Sequence, residues 1–397
     1  MRKRYLVVGG GAAGARAVET IRARDPAGET VLVTEERYLP YSRPLLADYI
    51  SGRVGADRLA LRPDGDWSKL GATVRLGSRA ANVDADNRLV WLADGSSLSY
   101  DALLVATGAQ PVLPPAWAGH PGVTGLRSLD EAERVRRAAL SGGRIVIVGA
   151  GALGVKLACA LREAGVSPLL LEVLPRILSG LADAEAAILA ERRLAAMGIT
   201  VRCGVSVAEV SGETGGLVLG LSDGTTVAAD LVVACAGARP AVSVLDGQVR
   251  IGRGVAVDET MRTSREGIWA AGDVVEVPEV TTGEVRVSGI WPHATAQGRV
   301  AGLGMTGRKA AFRGSLRRNV VDVLGLPVIS MGVVEPSAAP GWTALSRRSR
   351  RGYLKLVLTG DVLAGAVIVG DPDLAGRLQA CLRKGETAAW PDVLKEF

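Results

Sequence analysis

The sequence predicts an α/β chain of two parallel-sheet units followed by a smaller α+β unit. Three observations carry that expectation. A strand–glycine turn–helix–strand pattern opens the chain, the same pattern returns from Arg144, and residues 309–397 hold strand-like runs without it. Composition agrees: 48% hydrophobic residues and 51 glycines with only 4% aromatics suit sheets joined by glycine turns better than a disordered or disulfide-stapled chain.

The first pattern begins with the apolar run Tyr5-Leu6-Val7-Val8, which feeds Gly9-Gly10-Gly11-Ala12-Ala13-Gly14. Residues 15–21 then read as a helix. In a G-x-G-x-x-G turn each glycine has a task. Gly9 permits the tight turn, Gly11 lets backbone approach a pyrophosphate, and Gly14 allows close packing of helix on strand. The helix N-terminus adds unbonded N–H groups and a positive dipole end. Residues 31–34 form a second strand ending on Glu35, an acid suited to accept hydrogen bonds from a ribose hydroxyl.

A proline-marked loop, Pro40-Tyr41-Ser42-Arg43-Pro44, leads into a short helix through Ile50. Arg43 and the adjoining Pro44 are candidates to meet a phosphate, against the plain reading of a solvated loop. Residues 72–92 alternate as strands do, and residues 100–109 form a buried strand closing on Ala106, Thr107 and Gly108, where backbone can approach a ligand. Prolines 111, 114, 115 and 121 mark a linker.

The repeat follows. Residues 144–148 run into Gly149-Ala150-Gly151-Ala152-Leu153-Gly154, a helix to about residue 164, and a strand ending on Glu172. Two such fingerprints argue for two dinucleotides, and the redox pairing that needs two is a flavin with a nicotinamide. Glu172 favours NADH over NADPH, because a carboxylate bonds a ribose 2′-hydroxyl and repels a 2′-phosphate; Arg176 softens that preference. Residues 183–197 read as a helix, and residues 231–240 as a strand whose end includes Gly237. Residues 267–273 form a strand closing on Gly272 and Asp273, an acid that fits a sugar or ribityl hydroxyl as readily as a turn. Beyond it a helix starts around Pro292, His293 and Ala294, with proline in its first turn. Residues 353–358 and 363–369 are strand-like, and a final helix ends the chain.

Other classes are disfavoured. The four cysteines, Cys159, Cys203, Cys235 and Cys381, show no C-x-x-C spacing, and with two histidines no metal centre is expected. After Arg2-Lys3-Arg4 there is no apolar segment of signal-peptide or bilayer length, so the cytoplasm is expected and no membrane partner. A net charge of +6 is mildly basic, and with few aromatics near its arginines the chain is not expected to bind nucleic acid.

In the order of these motifs the chain resembles the pyridine nucleotide-disulfide oxidoreductases over essentially its whole length. Within them it is most similar to NADH:rubredoxin and ferredoxin reductases and the flavin-binding region of NADH-dependent nitrite reductases. The likeness rests on residues 9–14 with Glu35, 40–44, 106–108, 149–154 with Glu172, 270–273, 291–302, and the C-terminal runs 355–358 and 365–371. It implies two Rossmann-like domains, the FAD domain discontinuous (1–112 and 242–308) and the NAD domain (113–241) inserted, then a C-terminal domain (309–397) for dimerisation or partner docking. It implies FAD on the first fingerprint, held by Glu35, Arg43 and Asp273, and NAD(P)H on the second. The helix near Pro292 is implied to face the flavin.

Two departures from the family matter. Its dithiol enzymes carry a cysteine beside the flavin, whereas here none precedes Cys159, so electrons are expected to leave for an external acceptor. Where relatives pair a Glu after the second fingerprint with a Lys on the first domain's short helix, this chain has Lys156 and Asp48. These two are expected to form a charge-swapped catalytic pair facing the flavin N5; the plain alternative is two solvated charges. The run Arg347-Arg348-Ser349-Arg350-Arg351, backed by Arg313, Arg317 and Arg318, reads either as a solvated loop or as a docking face for a small acidic carrier such as rubredoxin, ferredoxin or flavodoxin. The function expected is an FAD-dependent NADH:acceptor oxidoreductase. The alternatives are an NADH oxidase or small-molecule reductase, and a flavin-binding electron-transfer subunit that no longer uses NAD(P)H. A homodimer is compatible with all three.

Overall fold

A computed structural model describes residues 2–63, 66–114, 117, 119–213, 216–336 and 338–397; Pro115 of the expected linker lies outside them. The chain divides into two units. One comprises Met1–Leu45, Gly55–Gln110 and Ala238–Ser315, the other Leu46–Val54, Pro111–Gly237 and Leu316–Phe397.

The first unit is built on a parallel sheet with strand order Ile268–Ala270, Ala102–Val105, Arg4–Val8, Glu29–Val33, Ala72–Arg75. The strand Arg4–Val8 is central, with Tyr5 opposite Thr30 on one side and Ala102 on the other. Its unbroken apolar run is what a parallel strand covered on both faces requires, and Tyr5 through Val8 are buried. The helix that follows spans Ala12–Arg24, starting before the expected residue 15. Gly11 is its N-cap, so Ala12, Ala13 and Gly14 form the first turn, whose N–H groups have no intrahelical acceptor.

Sterics explain the glycines. A Cβ on Gly14 would stand 1.9 Å from the Gly9 carbonyl oxygen. Gly9 has φ +114°, and a Cβ there would stand 2.1 Å from the Ala106 oxygen. The helix Trp291–Met305 lies equally close, since a Cβ on Gly298 would stand 2.1 Å from the Ala13 oxygen. The strand expected over 100–109 is shorter, Ala102–Val105. Beyond it the chain bonds to Ala241 instead of continuing the sheet: the Thr107 hydroxyl donates to the Ala241 oxygen at 2.7 Å, and Ala241 N–H donates to the Gly108 oxygen at 2.9 Å.

The second unit repeats the plan with the order Thr200–Cys203, Leu169–Glu172, Ile145–Val148, Leu231–Ala234, Val123–Thr124, all parallel. A Cβ on Gly154 would stand 1.9 Å from the Gly149 oxygen, as in the first copy. The helix expected over 183–197 spans Ala184–Ala196, with the Asp183 carboxylate accepting from Ala186 N–H as its N-cap. The short helix Leu46–Ser51 also belongs to this unit.

Residues from Leu316 onward form an antiparallel sheet, ordered Arg318–Asp322, Pro327–Gly332, Val362–Gly370, Gly352–Thr359, Trp342–Ser349. The helices Ala375–Lys384 and Trp390–Glu396 cover a core that includes Leu354, Leu356, Ile368 and Leu378. The arginine run corrects the loop reading. Arg347 and Arg348 lie on the edge strand Trp342–Ser349, paired to Leu354 and Tyr353. Backbone bonds to Gly352–Thr359 hold this strand, so its solvated side accepts charge that breaks the apolar alternation sought in a sequence. Among the described residues, no helix is long and apolar enough to cross a membrane.

The glycines separate packing from openness. Gly14→Ala is expected to lower unfolding free energy by about 2–3 kcal/mol through overpacking. Gly11→Ala, at φ −77° with nothing within 4 Å of its Cβ position, should change it by less than about 0.5 kcal/mol. Urea denaturation of the two variants checks this contrast.

Candidate functional site

The first fingerprint presents an open helix end. Gly11 supplies no side-chain cap to the helix Ala12–Arg24, and no acid stands in its first turn. Ala15 N–H is the first to bond within the helix, to the Gly11 oxygen, which leaves three donors facing outward. Gly11 itself borders empty space where a Cβ would intrude. An uncapped N-terminus of this kind accepts a phosphate. Glu35 is exposed just past the second strand.

The neighbouring Glu36, which the sequence reading missed, is the acid that organises the proline loop. Its carboxylate accepts from the Tyr41 hydroxyl at 2.5 Å and from Arg43 Nη2 at 2.6 Å. Arg43 also lies over the Tyr41 ring, 5.7 Å from its centroid. The guanidinium is thereby oriented before any ligand binds, with Pro44 in the adjoining turn Arg43–Leu45. The signal was present in the adjacent acids preceding a Tyr-x-Arg triplet, but sequence alone does not say which acid the arginine takes.

Gly272 and Asp273 follow the strand Ile268–Ala270, and Gly272 N–H donates to the Gln297 side-chain oxygen at 2.8 Å. Gln297 was also missed. It is fully buried, and its Nε2 has no partner among the described residues. The helix carrying it starts at Trp291 with Pro292 in its first turn, no side-chain cap and no first-turn acid. His293 N–H and Ala294 N–H both donate to the Ile290 oxygen, so this helix end acts through its dipole more than through unbonded donors. The His293 ring is buried, with Nδ1 2.7 Å from the Ser288 hydroxyl and in an edge-type contact with the Phe312 ring, 5.8 Å between centroids. Ala294 is buried beside Gly272. Ala106, Thr107 and Gly108 lie where the strand Ala102–Val105 ends, Ala106 N–H donating to the Val8 oxygen and the other two tied to Ala241 as described above.

The second fingerprint is more constrained. Gly151 caps the helix Ala152–Glu163 without a side chain, and nothing lies within 4 Å of its Cβ position. Glu172 is buried and already oriented. One carboxylate oxygen accepts from Ala150 N–H at 2.6 Å, the other from Leu174 N–H at 2.9 Å. Gly237, at φ +114°, borders open space past the strand Leu231–Ala234.

Asp48 and Lys156 do meet: Lys156 Nζ stands 3.6 Å from Asp48 Oδ2. The sequence reading did not foresee their neighbours. Arg53 contacts the other Asp48 oxygen and reaches Glu163 at 3.2 Å, so Asp48 is shared between two cations. Its side chain is 17% exposed against 38% for Lys156. The other arginines are drawn to local partners: Arg348 to Glu185 at 2.9 Å, Arg351 to Asp371 and Asp373, and Arg347 to the Leu394 oxygen.

None of the four cysteines is in a disulfide. Burial pushes the Cys159 thiol up to about 12 and the Cys203 thiol up to about 11, so neither is a ready nucleophile. The two helix ends without side-chain caps, the glycine cradles and the Gln297 Nε2, which has no partner among the described residues, fit FAD at the first fingerprint. The acid at Glu172 fits NADH at the second.

Comparison with known proteins gives the family. Residues 3–298 match the family described as pyridine nucleotide-disulphide oxidoreductase, and residues 318–386 match the rubredoxin NAD+ reductase C-terminal domain. The chain is 32% identical to the NADH-dependent phenylglyoxylate dehydrogenase subunit epsilon of Aromatoleum evansii, covering 90% of this chain and 86% of that one. It is 27% identical to the assimilatory nitrate reductase electron transfer subunit of Bacillus subtilis, over 96% of this chain and 49% of the relative, so it spans about half of that protein. Among solved structures, a ferredoxin reductase from Rhodopseudomonas palustris superposes with a TM-score of 0.86 at 26% identity, covering 97% of this chain and 96% of that one. The chain therefore belongs to the pyridine nucleotide-disulphide oxidoreductases.

Proposed function

We propose that this oxidoreductase passes electrons from NADH to a small protein carrier and uses no cysteine pair on the way. The carrying observation is the pair of complete glycine cradles in a chain whose first cysteine is Cys159. When bound, FAD takes hydride from the nicotinamide and releases electrons to the acceptor. The protein's part is to hold and to tune. Backbone N–H groups at residues 12–14 meet the FAD pyrophosphate, with Arg43 alongside. Glu35 and Asp273 take the sugar and ribityl hydroxyls. The dipole of the helix Trp291–Met305 favours negative charge on the reduced ring. Residues 152–154 and Glu172 hold the nicotinamide dinucleotide. Asp48 and Lys156 position the nicotinamide together, within a charge cluster that Arg53 and Glu163 complete.

A carrier as acceptor is supported by the C-terminal match to a rubredoxin reductase domain and by the likeness to ferredoxin reductases. An acidic carrier suits the net charge of +6 and the exposed edge-strand arginines, Arg347 and Arg348. Intact Glu172 and its glycine turn favour a working nicotinamide site over a subunit that has lost it.

Anaerobic titration with NADH should bleach the flavin absorption stoichiometrically, with NADPH less effective. Bleaching by dithionite but by neither nucleotide would overturn the reading. In a double-mutant cycle on kcat/KM for NADH, Asp48→Ala and Lys156→Ala should couple by about 1 kcal/mol, and independent effects would remove the pair from the site. Reduction of rubredoxin or ferredoxin should slow several-fold between about 50 and 300 mM salt, and less so in Arg347→Ala/Arg348→Ala. A salt-independent rate that the arginines do not affect rules out docking on this face.

A further inference from the structure

Beyond Glu172 the chain stays with the glycine turn. Glu172 accepts from Ala150 N–H at 2.6 Å, and Leu178 N–H returns to the Ala150 oxygen at 2.8 Å. Residues 173–177 thus form a loop closed on Ala150, beside the acid that takes the ribose of a bound dinucleotide. Arg176 is the one charged residue in that loop. Its Nη2 lies 3.2 Å from Glu335 Oε1, and its Nε is buried without a partner among the described residues.

Glu335 follows the strand Pro327–Gly332 of the C-terminal sheet, and its second oxygen lies 2.9 Å from Lys355 Nζ. Lys355 is 7% exposed and is held again by Asp183 at 3.2 Å, an acid to which the Tyr353 hydroxyl also donates at 2.6 Å. Glu335 therefore stands between two cations with different needs. The buried Lys355 keeps Asp183 whatever happens at Glu335, whereas Arg176 loses a carboxylate.

We propose that Glu335 is a specificity-determining residue: by pairing with Arg176 it withholds from the ribose rim a guanidinium that would otherwise receive a 2′-phosphate, and so sets the second site for NADH against NADPH. This rests on the reading that the second fingerprint binds a nicotinamide dinucleotide. The chemistry favours it on two counts. Arginine matches a phosphate through paired N–H donors, and a dianion attracts it more than a carboxylate shared with a lysine does. Glu335 is also half exposed, where ion pairs are weak, so neutralising it frees Arg176 without rebuilding the loop. Selection against the 2′-phosphate thus has two parts, repulsion by Glu172 and retention of Arg176.

The test uses the oxidised, FAD-loaded protein and two probes that cannot reduce it, ADP-ribose and 2′-phospho-ADP-ribose, by titration calorimetry. Glu335→Gln should bind the 2′-phosphorylated probe about threefold to fivefold more tightly with little change for ADP-ribose, and the NADPH/NADH ratio of kcat/KM should rise in parallel. Adding Arg176→Ala should erase the gain. An unchanged preference in Glu335→Gln, or a gain that survives Arg176→Ala, overturns the proposal; Glu335→Ala gives the same readings if the glutamine variant is unstable. Failure of the unaltered protein to bind ADP-ribose instead overturns the nucleotide reading of the second site itself.

Discussion

The structure depends on one close approach, made twice. In each copy the helix that follows the first strand is pressed onto the turn so tightly that one hydrogen replaces a side chain, Gly14 over the Gly9 carbonyl and Gly154 over the Gly149 carbonyl. That contact fixes where the helix starts, and so where its unbonded N–H groups point. A side chain there would push the helix outward, and the donors would no longer converge on one anion. The packing of Gly298 against Ala13 extends the same constraint to the helix Trp291–Met305, whose end faces the Gly272–Asp273 turn. Binding geometry here is a consequence of backbone packing.

The two copies differ in how far their polar groups are arranged in advance. Glu172 is buried, with both oxygens taking backbone N–H groups, so its position is set by the turn it serves. Glu35 is exposed, and the work of arrangement in the first copy falls to Glu36, which holds Tyr41 and Arg43 together. A preset acid loses little rotamer freedom on binding and suits a ligand that comes and goes. An exposed acid beside a preset arginine suits a cofactor bound through many contacts at once.

Much of this was legible in the sequence where the signal is local. A glycine turn, the buried strand before it and the acid after the next strand lie within about thirty residues, so one window contains the whole argument. The helix bounded by Asp183 and Met197 was legible for the same reason, because its run rich in alanine, leucine and glutamate is contiguous. What failed was long-range or two-sided. The strands Arg318–Asp322 and Trp342–Ser349 mix apolar and charged residues at the two edges of the sheet, and nothing local marks the arginines as strand. Asp48 and Lys156 could be matched as complementary charges, but Arg53 and Glu163 belong to the same cluster only in three dimensions. Gln297 gave no signal, since a glutamine in a helix reads as solvated unless its burial is known.

The cysteines give the chemistry its direction. A dithiol relay needs a thiolate that forms readily, and a thiol buried among apolar groups resists ionisation. Cys159 is of that kind, set in the body of the second fingerprint helix, where it packs as a small apolar residue. Cys203 stands next to Glu191, whose carboxylate also disfavours the thiolate. The chain therefore keeps the dinucleotide architecture of a disulphide reductase family while the surroundings of its own thiols disfavour the thiolate. Electrons reaching the flavin have no internal disulphide to reduce, and the acceptor must come to the protein. On the proposed reading the C-terminal sheet would take a part in the reaction: it carries the edge-strand arginines Arg347 and Arg348, and Glu335, which follows one of its strands, is paired with Arg176.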